Sequence, residues 1–314
     1  MSLADFGLSS DDLVGQVQEH SYPEPIQGRC AHIDADFMAY QVSAETKDEL
    51  DGTKPRKTFE DMCHNARQGL THLMKMAGAT SYIAHITPSA SDKGNRDILA
   101  LTKAYQGNRK GKEKPEHLQA IRAYIGMALP SIVHLNQEAD DGMAQANYAA
   151  IERGERNLSV IVSRDKDLRM VPGLHWDFDD ECIVDVDDPF GSIWVDRSKK
   201  TAKLTGWGTS FFWAQLLMGD SADYIAGLPW MTVDGKDKRV GPITAFKLLE
   251  DCKTDLECFE LIKKLFKESS YQWHDYRDER PTFWALHMVS DMQLLWMRRK
   301  PDQTDVIEWL GELK

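Results

Sequence analysis

The chain has 314 residues, 42% hydrophobic and 9% aromatic, which suits one large domain, or a domain with a substantial second lobe, around a real core. No run approaches the roughly 18 apolar residues of a membrane helix, the acidic start "MSLADFGLSSDDLVGQVQEH" has no signal-peptide pattern, and five scattered cysteines without C-x-x-C spacing point to a reduced, cytoplasmic setting and away from zinc. The net charge of −12 does not exclude nucleic acid, because basic residues gather in "KAYQGNRKGKEK" (103–114), "DRSKKTAK" (196–203) and "GKDKR" (235–239).

Residues 1–28 read as an N-terminal extension ending in "YPEPIQG", whose prolines and glycine break regular structure. "RCAHIDADF" follows as a short buried strand. "TFEDMCHNARQGLTHLMKMAGA" then places Phe59, Met62, Cys63, Ala66, Leu70, Leu73, Met74 and Ala77 on one helical face. Further strands are expected at 81–87, 131–135 and 157–163, separated by helical segments near 96–105, 116–128 and 138–153. That alternation predicts an α/β fold, a mainly parallel central sheet with helices on both faces. Shorter strands follow in "LHWDF", "ECIVDV" and "SIWVD". The C-terminal part is mostly helical, with the buried "GWGTSFFWAQLLMG", the amphipathic "VGPITAFKLLED" and "DLECFELIKKLFKE", and a closing helix in "PTFWALHMVSDMQLLWMRR". The nine Trp lie mostly in apolar surroundings and read as core.

Four acidic clusters stand at strand ends or helix starts. Asp34 and Asp36 end the first strand; Glu138, Asp140 and Asp141 open the helix after the third. Asp165 and Asp167 follow the fourth strand, and Asp220 and Asp223 are spaced i,i+3, on one face if helical. Each has an ordinary explanation as a helix cap or first-turn acid. In open α/β sheets, however, the carboxyl ends of the strands line the working crevice, where the first three clusters would meet. Oxygen ligands without a His/Cys set point to Mg²⁺ or Mn²⁺. Seven or eight carboxylates suggest two ions about 3.5–4 Å apart, as in phosphodiester cleavage. Setting eight aside as ligands takes the net charge from −12 to −4, an ordinary surface.

The order "HIDADF … YQGNRKGK … EADD … SRDKDL … MGDSADYIAGLP … VGPITAFKLL" resembles the 5′-nuclease superfamily of flap endonucleases, and most strongly its bacteriophage and bacterial 5′→3′ exonuclease branch, over residues 29–250. The resemblance implies a PIN-like core at 29–204 with a basic helical arch near 93–114. It also implies a helical module at 205–314 containing a DNA-binding helix–three-turn–helix at about 220–250. It makes Asp34, Glu138, Asp140, Asp141, Asp165, Asp167, Asp220 and Asp223 the metal ligands and leaves Asp36 behind them. Tyr105 would stack on a base and Arg109 would contact the scissile phosphate, with Lys110 and Lys112 on the same basic element. Gly227, Gly241, Thr244 and Lys247 would grip the duplex backbone in the helical module, which often holds a K⁺ ion, and the inserted Lys236, Lys238 and Arg239 would add charge. The glycines permit close approach, and the helix start at Pro242 offers amides to a phosphate.

Three positions depart from the family pattern. Its arch lysine is Gln106 here, with Lys103 or Lys110 as the substitute. The lysine after "GP" is Ile243. The acid usual near the end of "SYIAHIT" is missing, leaving Asp92 as the candidate to complete the first metal site. The resulting reading is a monomeric, divalent-metal-dependent 5′→3′ exonuclease and flap-type endonuclease. Its substrates would be DNA with 5′ ends, flaps or nicks, and RNA in RNA/DNA hybrids, recognised by backbone rather than sequence. Its setting would be the cytoplasm, or the host cytoplasm for a bacteriophage protein. Rival readings are a PIN-type ribonuclease and a catalytically weakened protein that binds branched DNA.

Overall fold

The structure, a computed structural model, describes residues 22–44, 57–198, 201–233, 236–302 and 304–313. Most of the expected extension lies outside the described residues. Its last part does not break the chain as expected: β1 (Ile26–Asp34) already begins within "YPEPIQG". Ile26 donates its amide to the Gly78 carbonyl at 2.9 Å, and Gly28, at φ 83°, sits where the pairing register shifts. The glycine marks a bulge, not a strand end.

After β1 come β2 (Ala79–Ile86), β3 (Ser131–Val133), β4 (Ser159–Val162), β5 (Gly173–Asp177) and β6 (Cys182–Val186). They form one sheet in the order β3-β2-β1-β4-β5-β6, parallel except for β6. Strand order therefore reverses between β1 and β4, the switch point of a doubly wound sheet. Two hairpins stand apart, β7 (Ser192–Asp196) with β8 (Lys203–Trp207) and β9 (Met231–Val233) with β10 (Lys236–Lys238). The second hairpin is the inserted "WMTVDGKDKR".

Helices α1 (Ala35–Ser43), α2 (Phe59–Met76) and α3 (Leu118–Ala128) cover one face of the sheet, burying Ala31, Ile33, Val160 and Val162. A capping box between Thr58 and Asp61 starts α2, and Met62, Ala66, Leu70 and Leu73 form its buried stripe; Phe59, expected on that face, is exposed. On the opposite face lies α4 (Ala139–Glu152), and α5 (Thr209–Met218), α6 (Pro242–Leu249), α7 (Asp255–Glu268), α8 (Trp284–Leu295) and α9 (Asp305–Glu312) build a second core on that side. The alternation along β4 explains this two-sided burial, since Ile161 points to the second face and its neighbours to the first. Residues on either side of position 205 share that second core: Met143, Ile161 and Leu168 pack in one cluster with Phe212, Trp213 and Trp296. No helix among the described residues is long and apolar enough to cross a membrane.

Two helical expectations are corrected. The segment 96–105 makes a single turn, Arg96–Leu99, and the basic stretch beyond it carries one 3-10 turn, Gly107–Arg109, in place of a continuous arch. Gln106 lies in the left-handed region at φ 52°, which a helix interior does not hold, because its amide is bonded to the Asp223 carbonyl at 2.9 Å. Asp220 and Asp223 are not on a helix either. Gly219, at φ 73°, ends α5, and the chain closes a tight turn with reciprocal Asp220 and Ile225 backbone bonds at 3.0 and 2.7 Å. A side chain on Gly219 would stand 2.4 Å from the Ala226 carbonyl oxygen. Among the described residues, α6 is the one helix within 220–250.

Candidate active site

Asp34 ends β1, Asp165 follows β4, and Asp140 lies in the first turn of α4, so three acids lie near enough to repel one another beside the switch point. The capping explanation holds for this region as well, and it fixes the carboxylates. Asp34 Oδ1 accepts from the Phe37 amide at 3.0 Å, and Asp165 Oδ1 accepts from the Asp167 amide at 2.9 Å. Ser163 links the two strands, donating its hydroxyl to Asp34 Oδ2 at 3.3 Å and accepting from the Asp165 amide at 3.0 Å.

Charge is not balanced in this group. Burial, then repulsion from Asp36, pushes Asp34 up to about 6. Crowding by protein pushes Asp165 up to about 6, with Asp223 and Asp34 adding to it. Asp140 is raised well above an ordinary carboxylate by burial and then by Asp165, Asp34 and Glu138. Among the described residues no basic side chain pairs with Asp34 or Asp140. Hard oxygens under mutual repulsion fit a divalent cation by donor type and charge. As the side chains stand, no three His, Cys, Asp or Glu residues among those described close on a single point.

A second group holds Asp167, Asp220 and Asp223, and here the chain supplies its own cations. Lys166 Nζ lies 2.6 Å from Asp167 Oδ1 and also contacts Asp220 Oδ2. Burial, then Asp165, pushes Asp167 up to about 8 in spite of the lysine. Burial acts to raise Asp220, but Lys166 and the Ala222 amide hold it below its ordinary value. Arg109 Nη2 meets Asp223 Oδ1 at 2.5 Å, and Gln106 Nε2 donates to the same oxygen at 3.1 Å.

Tyr105 is corrected as a stacking platform. Its ring is buried, and its hydroxyl lies 2.9 Å from Glu138 Oε2 and 3.2 Å from Asp223 Oδ2, so it joins the two acid groups. Burial and those acids push the phenol well up, so it stays a proton donor. The cation beside Gln106 is Lys93, whose Nζ donates to Gln106 Oε1 at 2.5 Å, and not Lys103 or Lys110. Lys103 sits 4.7 Å above the Tyr224 ring and lines a cavity with Asn108, Asp220 and Arg239; Lys110 and Lys112 are exposed.

Asp141 is corrected as a ligand. It is fully buried, and Arg96 Nη1 and Nη2 grip its two oxygens at 2.7 and 2.8 Å while the Arg298 amide donates to Oδ1 at 3.1 Å. Its side chain also caps the Glu138 amide at 3.3 Å. With these donors satisfied, the carboxylate anchors the start of α4 and has no oxygen to spare for an ion.

Asp92 accepts from the Gly94 amide at 2.8 Å and so caps its own turn, which corrects it as the completing acid. The end of β2 instead carries Thr87 and His85. Thr87 Oγ1 accepts from the Ala139 amide at 2.8 Å. His85 sits in a buried chain, 3.0 Å from His32 and 2.9 Å from His134. Gly142 leaves room for it, since a Cβ there would stand 2.2 Å from His134 Cε1. Asp36 pairs with Arg122 at 2.9 Å and accepts from the Thr87 amide at 2.9 Å, behind Asp34.

In the helical part, Gly241, Thr244 and Lys247 lie at or along α6, whose N-terminus is open: a Cβ on Gly241 would meet nothing within 4 Å. Lys236, Lys238 and Arg239 are exposed on or beside the β9–β10 hairpin. Gly227 is corrected as a phosphate contact. It is buried, its amide donates to Asp291 Oδ2 at 2.9 Å, and its φ of 66° lets it pass Gly219, whose nitrogen a Cβ would meet at 2.2 Å. Burial pushes Asp291 up to about 7, against the Gly227 amide and Lys103. A folded value raised above the unfolded one means that stability present at low pH is lost as pH rises toward 7. Asp291→Asn should therefore match wild type near pH 4 and be more stable at pH 8, each unit of displacement being worth about 1.4 kcal/mol. Urea unfolding at both pH values checks this, and equal stability at pH 8 would contradict it.

Sequence reasoning missed Lys166, Lys93 and Arg96. Lys166 stands inside "DKD", where the flanking acids were a visible signal; Arg96 and Lys93 gave none, because their partners are distant in sequence.

No protein-family model matches the chain, and no curated protein matches it in sequence. Solved structures do. The bacteriophage T5 D15 protein crystallised with metal ions is 14% identical with a TM-score of 0.53, over 90% of this chain and 94% of that one. The bacteriophage T5 flap endonuclease in a complex with DNA and metal ions is 14% identical with a TM-score of 0.52, over 86% of each chain. The sheet order, the position of the acids and this likeness agree. The chain has the 5′-nuclease fold.

Proposed function

We propose that the chain is a divalent-metal-dependent 5′-nuclease that hydrolyses DNA phosphodiesters at 5′ ends, nicks and flaps. The observation that carries this is the trio Asp34, Asp140 and Asp165 at the switch point of the sheet, all raised by burial and mutual repulsion and the first two with no basic partner among the described residues, in a fold shared with nuclease structures that hold metal ions and DNA. Asp34, Asp140, Asp165 and Glu138 would hold a Mg²⁺ or Mn²⁺ ion, with Asp167, Asp220 and Asp223 beside a second. Such ions activate water and stabilise the leaving oxygen in phosphodiester cleavage.

The chain's own residues supply the rest. Ser163 and the caps on Asp34 and Asp165 hold those carboxylates in place before substrate arrives. Arg109 is half exposed on Asp223, Lys93 stands on the neighbouring Gln106, and Lys110 and Lys112 are exposed just after the turn, so a phosphate entering over the turn at 107–109 would meet positive charge. Lys236, Lys238, Arg239, Thr244 and Lys247, with the open start of α6, would hold the duplex by its backbone. Replacing Lys236, Lys238 and Arg239 together should weaken duplex binding equally across sequences and make its salt dependence shallower. Binding measured at several salt concentrations tests this, and an unchanged slope would remove the hairpin from the interface.

The substrate class is tested on a denaturing gel with labelled 5′-flap, nicked and blunt DNA and single-stranded RNA. Metal-dependent cleavage of flap DNA in preference to RNA supports the proposal. Cleavage of RNA alone would favour a PIN-type ribonuclease, and binding of flap DNA without cleavage would favour a branched-DNA binder.

A further inference from the structure

The two acidic groups differ in one respect that the fold alone does not require. Asp34 and Asp140 have no basic partner among the described residues, whereas Asp167 and Asp220 share one. Lys166 Nζ lies 2.6 Å from Asp167 Oδ1 and also contacts Asp220 Oδ2. Those carboxylates come from separate parts of the chain, one in the turn after β4 and the other in the turn after α5. Both side chains are buried, 7% and 2% exposed, while the lysine side chain is 49% exposed. Its stem runs along the surface and its head dips between two acids. A single compact cation bridging two buried carboxylates is the arrangement a divalent ion would otherwise make.

We propose that Lys166 is a built-in cation occupying the second-ion position, so that the chain binds one divalent ion tightly and a second only by displacing the lysine. This rests on the reading of Asp34, Asp140 and Asp165 as the tight cation site. Displacement is sterically open, because the half-exposed stem can swing its head into solvent while Asp167 keeps Gln215 and Asp220 keeps the Ala222 amide as partners. The lysine thus offsets part of the charge of two buried acids when the second ion is absent, and the cost of displacing it weakens that ion's net binding.

The test is a Mn²⁺ titration followed by calorimetry and by the electron paramagnetic resonance of free Mn²⁺. Wild type, Lys166→Met, Lys166→Arg and Asp34→Asn are compared. Wild type is expected to bind one ion at least tenfold more tightly than the second. Lys166→Met should tighten the second ion at least tenfold without changing the first, and Lys166→Arg, which keeps the charge, should behave as wild type. Without metal, Lys166→Met should melt below wild type because two buried acids lose their partner, and saturating Mn²⁺ should raise its midpoint by more. Lys166→Gln, which keeps a donor of similar length, replaces Lys166→Met if the latter does not fold. An unchanged second affinity in the uncharged variants, with the first ion lost in Asp34→Asn, would overturn the lysine's role and leave the tight site standing. No Mn²⁺ binding by any variant, or binding indifferent to Asp34→Asn, would overturn the reading of the site itself.

Discussion

Arg96→Met is expected to destabilise the protein by about 3–5 kcal/mol, the usual result of removing one partner from a buried ion pair. The guanidinium is fully buried and does several jobs at once. It grips both oxygens of Asp141, lies 3.2 Å from Glu138 Oε2, and donates to the Trp296 carbonyl at 3.1 Å. It thereby ties the start of α4 to the chain after α8, across the core that unites the two parts of the molecule. Met supplies similar bulk but leaves Asp141 buried with the Glu138 and Arg298 amides as its remaining donors. With total stabilities of about 5–15 kcal/mol for folded domains, this one change removes a large fraction. The double variant Arg96→Met, Asp141→Leu should recover part of the loss, since it removes the orphaned charge but not the orphaned carbonyls. Urea unfolding of both variants measures this. A single variant within about 1 kcal/mol of wild type would show that the pair is not an anchor.

Asp34→Asn and Asp165→Asn should each lower the cleavage rate about 100- to 1,000-fold or more, the scale of removing one preorganised electrostatic contact, while DNA binding changes little. Asn keeps the shape and the cap, accepting from the Phe37 or Asp167 amide as the native residue does. What it loses is the negative charge that makes the trio a cation site. Because burial and repulsion raise Asp34 and Asp165, removing one charge should leave the metal-free fold as stable as wild type or more so. That pairing of a slow enzyme with an undamaged fold separates loss of chemistry from loss of structure. Near-normal rates in both variants would place the active site elsewhere.

The architecture was readable because its signals are local. The apolar stripe of α2, the short apolar strands and the acids at strand ends each show over a few residues, and the mainly parallel sheet with helices on both faces follows from the alternation of strands and helices. What was unreadable depends on distant partners. Nothing within "NQEADDGMAQ" says that Asp141 turns inward to Arg96, 45 residues earlier, while Asp140 lies toward Asp165 and Asp34. The helix expected at 96–105 fails because Gln106 bonds the Asp223 backbone, 117 residues later, in a left-handed conformation. Gly227 carried the right conformational freedom for the wrong purpose, since passing Gly219 and meeting Asp291 uses it up. Lys166 was hidden in plain view within an acidic motif, and its bridge to Asp220 needs α5 to bring that turn alongside.

If the acids at the switch point hold a divalent ion for phosphodiester cleavage, the rate must follow that ion. The most direct measurement is the single-turnover cleavage rate of a 5′-flap duplex by the wild-type protein, followed as Mg²⁺ is titrated into fully chelated enzyme. No cleavage is expected without the ion, with a rate that rises and saturates with Mg²⁺ and little response to Mg²⁺ in Asp34→Asn. Undiminished cleavage by chelated protein, or an Asp34→Asn titration that superimposes on wild type, would contradict it.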